Sequence, residues 1–240
     1  MKRLNHYQAI KNDLQKHINA ERAVFLSKFM RAFPGGYGEG DQFIGVTVPN
    51  LRTVARKYYK EVSLNEVELL LNEPIHEYRL IGLFIMVLKY KKAKPETEKK
   101  SIVEMYLENI HQINNWDLVD SSADKILGPY LMDKDKDLLY GFAESDDVWK
   151  QRVAIITTFH FIRNKHFNDT LKIAKILLNH KHDLIHKAVG WMLREIGSRD
   201  LEVEVNFLKV HYKQMPRTML RYAIEKFEEN LRQQFLKGLV

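Results

Sequence analysis

The sequence predicts an all-α fold, an α-solenoid of stacked helix pairs, and three observations carry that prediction. Apolar residues recur with helical periodicity, prolines fall where those stripes break, and a basic-then-apolar segment returns at near-constant spacing. The stripe is plainest at Leu80, Leu83, Phe84, Val87 and Leu88, whose i, i+3, i+4, i+7, i+8 spacing gathers apolar side chains on one helical face. Strand-like alternation is nearly absent. The six prolines, at 34, 49, 74, 95, 129 and 216, mostly mark helix starts or loops between helices.

The recurring segments are Arg79-Leu80-Ile81-Gly82, Arg152-Val153-Ala154-Ile155, Lys187-Ala188-Val189-Gly190 and Arg221-Tyr222-Ala223-Ile224, with starts 73, 35 and 34 residues apart. Because 73 is about twice 36, a further unit belongs near residue 115, where Asn115-Trp116-Asp117-Leu118-Val119-Asp120 stands. Units of roughly 35 to 45 residues are those of HEAT or TPR arrays, in which each helix pair buries a face against its neighbours and the stack curves. The expectation is a HEAT-like array over 1–240 as a single domain, undivided by any Pro/Ser-rich linker, with a basic concave face able to hold an extended ligand. An ordinary helical bundle is the alternative.

Bulk composition narrows the function. A 45% hydrophobic chain of 240 residues can build a sizeable core. The 38 Lys plus Arg outnumber 31 Asp plus Glu, for a net charge of +7, which favours a polyanionic partner. Zero cysteines exclude disulfides, thiolate zinc sites and cysteine nucleophiles. The opening MKRLNHYQAIKNDLQKH is too polar for a secretory signal, and no apolar run reaches the roughly 18 residues that span a bilayer. A cytoplasmic protein with no membrane association is therefore expected.

Several residues stand off the core pattern. On the helix striped by Ile185, Val189, Met192, Leu193 and Ile196, Trp191 lies about 200° from Val189, alongside Lys187 and Arg194. Such an indole either packs on the next repeat or meets a ligand. In NNWDLVDSSADKIL, Trp116 and Asp120 are four apart and share a helical face, while Val119, Ala123, Ile126 and Leu127 make the apolar stripe. A carboxylate beside an indole can stabilise a developing cation by charge and by the negative π face. A helix-terminal acid beside a packed Trp is the plainer reading, and Asp117 suits that first-turn role better. Arg152, near the structural-looking Trp149, can reach a phosphate or be an ordinary salt-bridged side chain.

Three further patterns have bland readings. Pro34-Gly35-Gly36-Tyr37-Gly38-Glu39-Gly40 lacks the Gly-Lys-Ser/Thr of a phosphate loop and reads as a flexible connector, with Tyr37 at its tip available to a ligand. His182 and His186 have metal-ligand spacing but no third ligand nearby, so no metal is assigned. Tyr58 and Tyr59 with Arg52, Arg56 and Lys57 form a basic-aromatic cluster typical of nucleic-acid binders, part of which is core.

Four blocks, FMRAFPGGYGEGDQFIGVTVPNLR, NNWDLVDSS, SDDVWKQRVAI and KAVGWMLRE, run in order from residue 29 to residue 195. Together they resemble the DNA alkylation repair (AlkD-like) family of glycosylases, built from HEAT-like helix pairs. The resemblance implies a monofunctional glycosylase, without cofactor or metal, acting as a monomer in base excision repair on duplex DNA that carries cationic lesions such as 3-alkyladenine and 7-alkylguanine. Carried over by motif, Trp116 and Trp191 pack against the lesion nucleotide, Asp120 stabilises the cationic sugar and positions water, and Arg152 holds phosphate. Arg194, Lys187 and Tyr37 add DNA contacts. The family works without turning the base into a pocket, unlike base-flipping enzymes. Phe29 departs from the tyrosine of some relatives. Because some relatives bind DNA without excising anything, a non-catalytic module for bent, branched or damaged DNA is the alternative, and a protein-binding scaffold is a third.

Overall fold

A computed structural model describes residues 5–240. Those residues form fourteen α-helices and no strand, an all-α helical-repeat fold. In chain order they are α1 (His6–Gln15), α2 (Ala20–Phe29), α3 (Val48–Tyr58), α4 (Leu64–Leu71), α5 (His76–Lys92), α6 (Glu96–Glu108), α7 (Trp116–Leu131), α8 (Asp137–Glu144), α9 (Val148–Arg163), α10 (Asn168–Ile176), α11 (Asp183–Gly197), α12 (Leu201–His211), α13 (Arg217–Ala223) and α14 (Glu229–Lys237). Two compact units result, one up to Ile126 and one from Leu127, so their boundary falls inside α7.

The repeat register maps onto alternate helices. The recurring segments lie within α5, α9 and α11 and at the end of α13, and the unit expected near residue 115 starts α7. In the first unit α5 packs on α3, α4 and α6, and α3 rests on α1. The apolar stripe of α5 is buried at Leu80, Leu83 and Phe84, and that of α7 at Val119, Ala123 and Ile126. In the second unit α9 lies against α8, α10 and α11, while α11 also packs on α12 and α13.

Local chemistry sets the helix ends. Asn5, Asn19, Thr47, Ser63, Asp147 and Asp200 each cap a helix by accepting from a backbone N–H of its first turn, satisfying donors that the helix leaves orphaned. His182 is the cap of α11, its Nδ1 accepting from the Leu184 N–H at 3.2 Å, and His186 Nε2–H donates to the His180 carbonyl at 2.5 Å. Both histidines thus serve the entry to one helix.

Gly190 permits a close approach of two helices in the second unit. A Cβ there would stand 2.5 Å from the Met219 carbonyl oxygen and 2.5 Å from Tyr222 Cβ, so α11 and α13 meet at a distance only a missing side chain allows. Helix α2 is the opposite case. None of its residues is buried, and Val24, Phe25 and Phe29 are all more than half exposed.

Candidate functional site

The first unit is organised around one buried polar cluster. His76, the first residue of α5 and 2% exposed, bridges two carboxylates: Nδ1 lies 3.0 Å from Asp41 Oδ2 and Nε2 lies 2.8 Å from Asp117 Oδ2. Arg79, one turn further along α5, donates to Asp41 and, at 3.0 Å, to Asn114 Oδ1. Asn115 closes the ring, its Nδ2 donating to Asp41 at 3.1 Å and its Oδ1 accepting from the Trp116 N–H at 2.9 Å. Burial alone would push the His76 imidazolium down, but the charges and hydrogen bonds of Asp117 and Asp41 prevail and raise its pKa to about 9. Burial likewise pushes Asp41 up, yet the hydrogen bond from His76 and the Arg79 charge hold its carboxyl below the usual range. Folded at neutral pH, this is a charged, mutually neutralising network.

The glycine-rich loop delivers Asp41 to that network. Gly35 and Gly40 adopt φ of 79° and 89°, and a Cβ on Gly38 would meet the Met30 carbonyl at 2.3 Å and Asn115 Nδ2 at 3.1 Å. The loop is therefore tightly turned against the start of α7, where the sequence suggested a flexible connector. Tyr37 folds back on α2, its hydroxyl donating to the Phe29 carbonyl at 3.3 Å, with the Arg31 guanidinium 5.7 Å from its ring centre.

What the cluster positions is the first turn of α7. Trp116 is half-buried, and its indole meets the exposed Phe29 ring edge-on at 6.1 Å. Asp120, one turn on, shares that face and lines a cleft of about 350 Å³ with Arg52, Arg56, Phe84 and Lys125. Asp117 occupies the first-turn role expected of it, here as a partner of His76.

The second unit carries Trp191, Arg152, Arg194 and Lys187. The Trp191 indole leaves the buried stripe as its spacing predicts: it is half-buried, tilted against Phe159 at 5.5 Å, and its Nε1–H donates to Glu195 Oε1 at 3.2 Å. Around it the sequence reading missed Phe159, Arg163 and Arg199, whose guanidiniums lie 4.3 and 5.9 Å from the Phe159 ring centre. Arg152 is 5% exposed and donates to the Leu184 carbonyl at 2.6 Å, which stitches α9 to the start of α11. Arg194 pairs with Glu225, and Lys187 pairs with Asp183 at 2.7 Å. Among the described residues no cluster of metal-ligating side chains forms.

A helical-repeat protein with an indole and an acid on the first turns of α7 and a second indole midway along α11 is the class that fold and site define. Residues 10–227 match the family of DNA alkylation repair enzymes, and the chain belongs to it. The fold is also that of a solved structure described as a predicted DNA alkylation repair enzyme from Enterococcus faecalis, with a TM-score of 0.71, 17% identity, and coverage of 90% of this chain and 99% of that one. No curated protein matches.

Proposed function

We propose that the chain is a DNA glycosylase that hydrolyses the N-glycosidic bond of cationic alkylpurines in duplex DNA. The observation that carries this reading is the placement of Asp120 one turn below Trp116, on a helix whose first turn is clamped by His76, Asn115 and Asp41. A carboxylate held on a rigid element stabilises charge without reorganising as the reaction proceeds.

A purine alkylated at N3 or N7 already bears positive charge. Its C1′–N bond breaks with the electron pair passing to the base, which departs neutral, so no general acid is required. Positive charge moves onto the sugar, where Asp120 and the π face of Trp116 favour it. Water then bonds to C1′ and gives up a proton. In this reading Trp191 packs against the lesion nucleotide, Arg194 and Lys187 supply positive charge toward phosphates, and Tyr37 contacts DNA beside α2.

The test is chromatographic release of 7-methylguanine from methylated duplex DNA in the presence of a chelator. Release is expected, and Asp120→Asn should slow it by roughly 100-fold or more while leaving DNA affinity nearly intact. Folded wild-type protein that binds the duplex but frees no base would instead establish the binding-module reading.

A further inference from the structure

The cleft beside Asp120 has a composition that the excision chemistry does not use. Its floor is apolar, made of Phe84, Val87 and Leu88 from α5, and its rim carries Arg52 and Arg56 from α3. The Arg52 guanidinium lies 5.3 Å from the Phe84 ring centre, a planar cation facing an aromatic platform. Lys125, also on the rim, is committed elsewhere: its ammonium donates to Asp124 at 2.6 Å and to the Asp120 carbonyl at 3.1 Å. Among the described residues, neither Arg52 nor Arg56 is in an ion pair, and Arg56 donates only to the Thr53 hydroxyl at 3.1 Å.

Charge decides what such a cleft holds. Arg52 and Arg56 outnumber the one carboxylate that also lines the cleft, Asp120, so its net charge disfavours a cationic alkylpurine base as occupant. The two guanidiniums attract phosphate, and the floor suits a flat, neutral ring. At about 350 Å³ the cleft sits at the small end of ligand sites, a size for one nucleotide and not for a duplex.

We propose that this cleft receives an unpaired, unstacked nucleotide of the bound DNA, with its neutral base on Phe84, Val87 and Leu88 and its phosphate on Arg52 and Arg56. The inference rests on the DNA-binding part of the function proposed above. It adds a preference for helices that already expose a base, since the cost of unstacking is then met before binding.

The experiment is equilibrium fluorescence anisotropy with two labelled duplexes of one sequence, fully paired or carrying one additional unpaired adenosine nucleotide. The bulged duplex should bind roughly 10-fold tighter or more, the range that base-aromatic stacking supplies. Leu88→Trp, which fills the floor, should bring the affinity ratio toward one. Arg56→Glu, a surface change on α3, should do the same through the phosphate, and circular dichroism of both variants checks their folding. Equal binding of both duplexes by the wild type, or a ratio that survives both substitutions in folded protein, overturns the proposal while leaving duplex binding standing. Absence of binding to either duplex removes the DNA reading itself, and this inference with it.

Discussion

The two units fix their tryptophan-bearing helices by different physics. At the start of α7 the anchor is electrostatic: His76, Asp41, Asp117, Arg79 and Asn115 hold Trp116 through hydrogen bonds among buried charges. At the middle of α11 the anchor is steric, because Gly190, immediately before Trp191, lets α13 approach until backbone and Tyr222 touch. A charged clamp is sensitive to pH and to loss of any one partner, whereas a close backbone contact is sensitive to a single methyl group and indifferent to pH. The same repeat scaffold thus offers two separable ways to place an aromatic ring.

The strongest way to break that contrast is His76→Ala, which leaves Asp41 and Asp117 without their shared cation. A destabilisation of about 3–5 kcal/mol is expected in urea unfolding, the range for stripping one partner from a buried ion pair. A loss below about 1 kcal/mol would show that the clamp is not what holds α7. Gly190→Ala comes next, with a cost of about 1–3 kcal/mol from overpacking, while Gly141→Ala in α8 is the control. A Cβ on Gly141 meets nothing within 4 Å, so that change should stabilise by up to about 1 kcal/mol.

pH sharpens the comparison further. His76 is raised from 6.5 to about 9, so its contribution is complete below pH 6.5 and disappears as pH climbs through 9. Tm should therefore fall over that interval, and His76→Ala should remove this part of the slope. Glu204 of α12, 1% exposed, acts in the same direction for another reason: burial pushes its carboxyl from 4.5 up to about 9, so the folded state keeps a proton that the unfolded chain has released. Glu204→Gln should raise Tm at pH 8 and leave it unchanged at pH 4, a difference readable by scanning fluorimetry.

Much of the fold was legible because it is periodic. The stripe of α5, the off-stripe position of Trp191 and the unit near residue 115 follow from spacing alone, and the structure places each accordingly. The buried network was not legible, since Asp41, His76 and Asp117 are far apart in sequence and each resembles a solvated residue at a helix start or in a turn. Arg79 and Arg152 were hidden in the same manner. Each opens a recurring segment, which marks neither for the interior, yet both are nearly buried because their guanidiniums find oxygen acceptors inside. Sequence carries the period of burial more clearly than the rare polar group that burial tolerates once it is satisfied.

Helix α2 has one more implication. It buries no side chain, and it is secured chiefly at its entry, where the Asn19 N–H donates to the Ile44 carbonyl at 3.0 Å and Gly45, at φ 79°, presses against the Asn19 backbone. An element with so little interior surface opens locally at low free energy, so its amides should exchange with deuterium well before those of α5 or α11. Slowed exchange there on adding duplex would then report occupancy of the face beside Trp116, giving a label-free meter of engagement that does not depend on turnover.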